Sequence, residues 1–237
     1  MDRRDRPKPT TAHKLGAELF GTYFATLVPT SVDILYYSGG SVDSVSRWLA
    51  RGFITIALIY AFSEISGAHV NPAISFGFFL RGVMQARLML LYWIAQFAGG
   101  FAAAGSAYVL WGLQVRLGAS HPGVEYTPFE ALIAEVILTM LVMTVVLATA
   151  EEDAVVGKQA ALAVGFTVAA CGFFAGPVSG ASMNPGRSIP PQMLGGLEGL
   201  AWIYVAGPLT GAALATALAW MLFGAPTRGE EKAAKGG

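Results

Sequence analysis

The part of this sequence with the most chemical content is a short motif that occurs twice. Ser66-Gly67-Ala68-His69-Val70-Asn71-Pro72 and Ser179-Gly180-Ala181-Ser182-Met183-Asn184-Pro185 share Ser-Gly-Ala and, at the same spacing, Asn-Pro. One Asn-Pro is an ordinary turn dipeptide; two copies inside matching heptapeptides are not. Asparagine suits the cap position of a helix, and proline suits the first turn, where its missing N–H was unpaired anyway. Each motif therefore opens a helix and presents its positive dipole end together with an amide side chain.

The elements that position these motifs follow from length. Pro72–Leu80 has nine residues and Pro185–Leu194 has ten, both mostly apolar. At 1.5 Å per residue, roughly ten helical residues cross only about half of a ~30 Å hydrocarbon core. They read as two re-entrant half-helices. Around them lie apolar blocks of more than 20 residues at 15–37, 88–111, 129–150 and 200–223. Two shorter blocks, 52–65 and 159–176, span if their flanks join the helix. The expected fold is all-α and transmembrane: six spanning helices plus two half-helices.

The chain also looks doubled. Leu15-Gly16-Ala17-Glu18 opens the first span and Leu132-Ile133-Ala134-Glu135 the fourth; the glutamates lie 117 residues apart and the asparagines 113. Three spans separate the copies, and an odd number inverts the second. Inverted repeats place a functional site near the midplane, where the halves meet. Both half-helix N-termini then face each other, which opposes cations, hydronium included. Asn71 and Asn184 can offer N–H donors to a passing water oxygen. A water held by two donors turns its hydrogens away, which breaks the relay that would carry protons. Carbonyls of 66–70 and 179–183 would supply acceptors along the track.

Composition agrees. Of 237 residues, 54% are hydrophobic and 13% charged, against about a quarter charged in a soluble domain. The net charge of zero gives no bulk attraction to nucleic acid. The lone Cys171 rules out a disulfide within the chain, and no cofactor or metal cluster is indicated. Expected boundaries are a tail at 1–14, a channel domain at 15–224 (repeats about 15–112 and 129–224) and a tail at 225–237. Arg3, Arg4, Arg6, Lys8 and Lys14, the Arg81–Arg87 connection, Lys158, Arg228, Lys232 and Lys235 fall on one side, and Arg47, Arg51 and Arg116 on the other. The excess predicts a multi-pass cell-membrane protein with both termini cytoplasmic.

These residues resemble the aquaporin, or major intrinsic protein, family along nearly the whole chain. The likeness rests on Ala17-Glu18-Leu19-Phe20-Gly21-Thr22, Ser66–Ala73, Gln96, Ser179–Ser188 and Gly207-Pro208. The first signature reads Asn71-Pro72-Ala73, and the second reads Asn184-Pro185-Gly186, with Gly where the family usually has Ala. The resemblance implies a homotetramer in lipid with one water-passing pore per subunit; passage of small neutral solutes such as glycerol or metalloid acids turns on how wide the neck is. It also implies a selectivity filter at Arg51, Gly172, Ala181 and Arg187. Arg187 matches the filter arginine. Arg51 departs from the usual aromatic. Either it points into the neck beside Arg187, or it snorkels outward near Trp48 and leaves the neck wide.

Glu18 and Glu135 admit two readings, a proton relay or structural acceptors for the re-entrant loops; resemblance and symmetry favour the second. His69 is expected in the inner vestibule. Cys171 adjoins Gly172 and suggests mercurial block. Asp33 and Glu64, near span ends, read as interfacial. A coupled transporter also has inverted repeats and broken helices, but it would need a carboxylate at the midplane, where this chain has asparagines. A structural membrane protein is a third class. No nucleophile–base pair or phosphate loop supports an enzyme.

Overall fold

Three of the long helices start where a side-chain oxygen takes up a free first-turn N–H. His13 N–H donates to Thr10 Oγ1 at 3.3 Å, Ser46 N–H to Asp43 Oδ1 at 2.6 Å, and Glu130 N–H to Thr127 Oγ1 at 3.3 Å. The computed structural model describes residues 8–150 and 159–236. Arg3, Arg4, Arg6 and Lys158, used above for orientation, lie outside the described residues. In chain order the helices are α1 (Thr11–Tyr37), α2 (Ser44–Ser66), α3 (Pro72–Leu80), α4 (Ala86–Trp111), α5 (Pro128–Thr149), α6 (Ala160–Ser179), α7 (Pro185–Leu194), α8 (Ile203–Phe223) and α9 (Arg228–Lys235).

Among the described residues, five helices are long and apolar enough to cross a membrane: α2, α4, α5, α6 and α8, the last counted from Glu198. The sixth long helix, α1, has 27 residues, about 40 Å at 1.5 Å per residue. Its inner face carries Glu18, Thr22, Thr26, Thr30 and Asp33, all buried, while Phe20, Phe24 and Tyr37 are exposed. Its polar residues therefore turn into the protein and its aromatics outward. Elsewhere the outer surface is equally apolar: Ile94, Val109, Phe174 and Met221 are all exposed. Such a surface suits lipid rather than water.

Pairing follows the repeat. α1 packs on α4 and α5 on α8, while α2 and α6, equivalent to each other, pack together. Glycines allow the close approach. A Cβ on Gly99 would lie 2.2 Å from Leu19 O, one on Gly211 2.4 Å from Val136 O, and those on Gly52 and Gly165 each 2.7 Å from the other's carbonyl. These contacts hold the bundle around the half-helices α3 and α7.

Within the expected tail beyond 224 the chain forms a short helix, α9. Thr227 caps α9, with Glu230 N–H donating to its Oγ1 at 3.2 Å. Arg81, at the end of α3, pairs with Glu230 through Nε–Oε1 at 3.0 Å, and both are buried. Lys14 Nζ donates to Lys235 O, so the start of α1 and the end of α9 share one face of the molecule. Sequence periodicity gives no sign of α9 because five of its eight residues are charged and what docks it is a distant arginine.

Candidate functional site

Each Asn-Pro motif builds the same small structure. Asn71 Oδ1 accepts the Ala73 N–H at 2.9 Å, and Asn184 Oδ1 accepts the Arg187 N–H at 3.2 Å. Capping thus fixes each amide with its oxygen toward its own helix. The nitrogens then reach across: Asn71 Nδ2 donates to Met183 O at 2.8 Å, and Asn184 Nδ2 to Val70 O at 2.9 Å. Each amide has two N–H groups. One is used in this reciprocal clasp, and the second is left for the cavity that both asparagines line. That cavity has a volume of about 700 Å³, with Arg51 and Arg187 in its wall as well as His69, and Lys232 and Ala233 of α9.

The two half-helices meet tip to tip. A Cβ on Gly186 would lie 3.1 Å from Pro72 Cδ, 3.3 Å from Asn184 Oδ1 and 3.4 Å from Thr22 Cγ2. The departure from Ala therefore relieves crowding where the motifs touch. Both N-termini are capped and both dipoles point at this junction.

The loops leading in are strained in the same way. Gly67, Ala68 and Val70 have φ of 87°, 51° and 44°; Gly180, Ala181 and Met183 have 80°, 44° and 55°. Left-handed backbone costs a non-glycine residue roughly 1–2 kcal/mol, so something must hold it. Glu18 accepts from Ser66 Oγ (2.7 Å), His69 N–H (3.0 Å), Val70 N–H (2.7 Å) and Gln96 Nε2 (2.7 Å). Glu135 accepts from Ser179 Oγ (2.7 Å), Ser182 N–H (2.8 Å) and Met183 N–H (2.6 Å). Neither glutamate lines the cavity, and both are fully buried.

A second symmetric support escaped the sequence reading. Tyr92 donates its hydroxyl to Ser66 O at 2.8 Å, and Tyr204 to Ser179 O at 2.7 Å. Their spacing after the asparagines, 21 and 20 residues, was a usable signal. His69 lines the cavity, with Nδ1 2.9 Å from Ser75 Oγ and its ring stacked on Phe78 at 4.8 Å. Cys171 packs toward Leu138 and is absent from the cavity wall.

Asp33 stands at the centre of a buried charge cluster. It is buried, not interfacial. Oδ1 accepts from Arg47 Nε at 2.9 Å, while Oδ2 accepts from Arg51 Nη2 and, at 3.0 Å, from Arg187 Nη2. Arg51 also donates to Gly180 O at 2.7 Å and Ala181 O at 3.3 Å, and Arg187 to Ser120 Oγ. Arg51 therefore turns inward beside Arg187, and the outward alternative falls away. Ala181 joins them in the cavity wall. Gly172 does not: a Cβ there would lie 2.4 Å from Trp48 Cε3, so the indole fills the space. The guanidinium carbons of Arg47 and Arg51 sit 4.2 Å and 4.3 Å from the centre of that indole.

Comparison with known proteins comes to the same place. The family described as Major intrinsic protein matches residues 7–219. Among curated proteins, Aquaporin NIP1-4 of Oryza sativa subsp. japonica is 36% identical over 205 residues, covering 86% of this chain and 74% of its own. Putative aquaporin NIP4-1 of Arabidopsis thaliana is 35% identical over 201 residues, covering 84% and 70%. Among solved structures, the aquaglyceroporin from Plasmodium falciparum superposes with a TM-score of 0.81 at 19% identity, covering 90% of this chain and 97% of that one.

Proposed function

The chain belongs to the major intrinsic protein family, and on that premise we propose that Asn71, Pro72, Ala73, Asn184, Pro185 and Gly186 form the proton-blocking centre of its pore. The protein is a multi-pass membrane channel for water and small neutral solutes, not an enzyme. The observation that carries the reading is the reciprocal clasp, Asn71 to Met183 O and Asn184 to Val70 O.

The mechanism follows from donors and dipoles. A water at the junction meets one free N–H from each asparagine and two positive helix ends. Its oxygen is bound and its hydrogens point outward along the track, so no hydrogen-bonded wire crosses the centre. Hydronium and other cations meet an unfavourable potential at the same point. Arg187, Arg51 and Ala181 form the neck, with Arg187 adding positive charge and donors for a permeant oxygen. Gly172 serves the neck indirectly by admitting Trp48. Glu18 and Glu135 hold the loop carbonyls in register, and His69 shapes the vestibule on the side facing α9. Because both glutamates spend their oxygens on loop donors, a carboxylate-driven transporter has little support.

The channel unit spans 15–224, with the repeats about 15–112 and 129–224. It works as a homotetramer in the cell membrane, with both termini cytoplasmic. The apolar outer surface supports a lipid setting, and the Lys/Arg excess supports the orientation. Stopped-flow osmotic shrinkage of proteoliposomes tests the reading. Flux above that of empty liposomes, with weak temperature dependence, is expected; shrinkage at the empty-liposome rate overturns it.

A further inference from the structure

The neck carries a feature that the pore chemistry above does not require: one carboxylate shared by three arginines. Asp33 comes from α1, Arg47 and Arg51 from α2, and Arg187 from α7, and all four are nearly solvent-free. Three guanidinium groups against one carboxylate leave a net charge of two. Arg51 and Arg187 meet on the same oxygen, Oδ2, so the carboxylate holds two mutually repelling cations together. Both arginines line the main cavity. Asp33 and Arg47 line a different pocket, of about 20 Å³, with Tyr37, Ser120 and His121. The cluster therefore stands between the two spaces.

We propose that Asp33 is the specificity-determining residue of the neck, acting by position. By drawing Arg51 and Arg187 onto one oxygen it narrows the opening that a two-arginine neck would otherwise have, and weights permeation toward water over glycerol-sized solutes. This deepens the channel reading and rests on it. The physics is a balance of repulsion and pairing. Without the carboxylate, two like charges in a low-dielectric neck separate. Arg51 keeps its bonds to the Gly180 and Ala181 carbonyls, whereas Arg187 keeps Ser120. These anchors lie on different segments, so loss of the shared oxygen opens the gap between them. Arg51 Nε has no hydrogen-bond partner among the described residues, which leaves it a donor for a permeant oxygen once the gap widens.

The test is the ratio of glycerol to water permeability in proteoliposomes, which a merely structural role would not move. Asp33→Asn is close in shape but leaves three buried guanidinium groups without a carboxylate. A second variant, Asp33→Asn with Arg47→Gln, restores the parental net charge of the cluster and is compared with Arg47→Gln alone. The ratio is expected to rise about ten-fold in the double variant, a barrier change of roughly 1.4 kcal/mol. Asp33→Glu, which keeps the carboxylate, is expected to stay near the parental ratio. A folded double variant with the ratio of Arg47→Gln overturns the proposal while the parent's water flux leaves the channel reading standing. No flux above empty liposomes in the parent or any variant overturns both.

Discussion

Replacing Glu135 by Gln isolates what holds the second re-entrant loop. The side chain keeps its size, and one oxygen becomes an NH₂ group. Glu135 Oε1 accepts from Ser179 Oγ and Ser182 N–H, and Oε2 accepts from Met183 N–H. With the amide oxygen toward the two donors, its NH₂ confronts the Met183 N–H. One buried backbone donor is then orphaned, at about 1–3 kcal/mol, and bonds to a charged acceptor worth roughly 1.5–3 kcal/mol each are weakened. A total of about 2–5 kcal/mol is expected. At ~2–4 °C per kcal/mol for a chain of this size, melting should fall by about 4–20 °C. Ala181 and Met183 also lose what holds their left-handed backbone, so the Met183 carbonyl that receives Asn71 Nδ2 shifts. Water flux per folded channel should therefore drop. Thermal melts and stopped-flow shrinkage on the same preparation check both. Parental melting with parental flux would refute the claim that this carboxylate holds the loop.

Three further outcomes follow from the packing. Gly172→Ala forces a Cβ to within 2.4 Å of Trp48; overpacking of about 1–3 kcal/mol is expected, and the same substitution should cost less when made in a Trp48→Ala background. An equal drop in melting in both backgrounds would refute that account. Glu230→Gln leaves Arg81 buried without its partner, a cost of about 3–5 kcal/mol that an eight-residue helix does not withstand by itself. Trypsin should then cut at Lys232 and Lys235 sooner, with the melting of the bundle little changed; unchanged cleavage contradicts the docking. Cys171 is 1% exposed and lies off the cavity, so a mercurial should leave water flux intact in the parent and in Cys171→Ser alike. Block that Cys171→Ser abolishes would place the thiol in the pore.

What was legible in the sequence was local. Asn-Pro at a helix start, nine- and ten-residue apolar segments, and glutamates in register with the repeat each follow from neighbouring residues, and α3 and α7 run over the ranges expected. Arg51 stayed ambiguous because its direction depends on Asp33, 18 residues earlier on another helix. Asp33 itself read as interfacial because its position near the end of α1 gives no hint of Arg187, 154 residues away. Gly172 comes from the family resemblance, which does not reveal that the Trp48 ring occupies the room. α9 was invisible because five of its eight residues are charged and its anchor is a buried ion pair made across the fold. α1 shows the converse: its buried threonines and acids dilute a span that is nonetheless 27 residues long.

The central claim is that two clasped asparagines at opposed helix ends let water through and stop protons. Proteoliposomes loaded with a pH-sensitive dye report both fluxes from one sample, as osmotic shrinkage and as decay of an imposed pH gradient. The account predicts shrinkage well above empty liposomes while the pH gradient decays no faster than in them. Shrinkage at the empty-liposome rate, or a pH gradient that collapses along with the water flux, would contradict it.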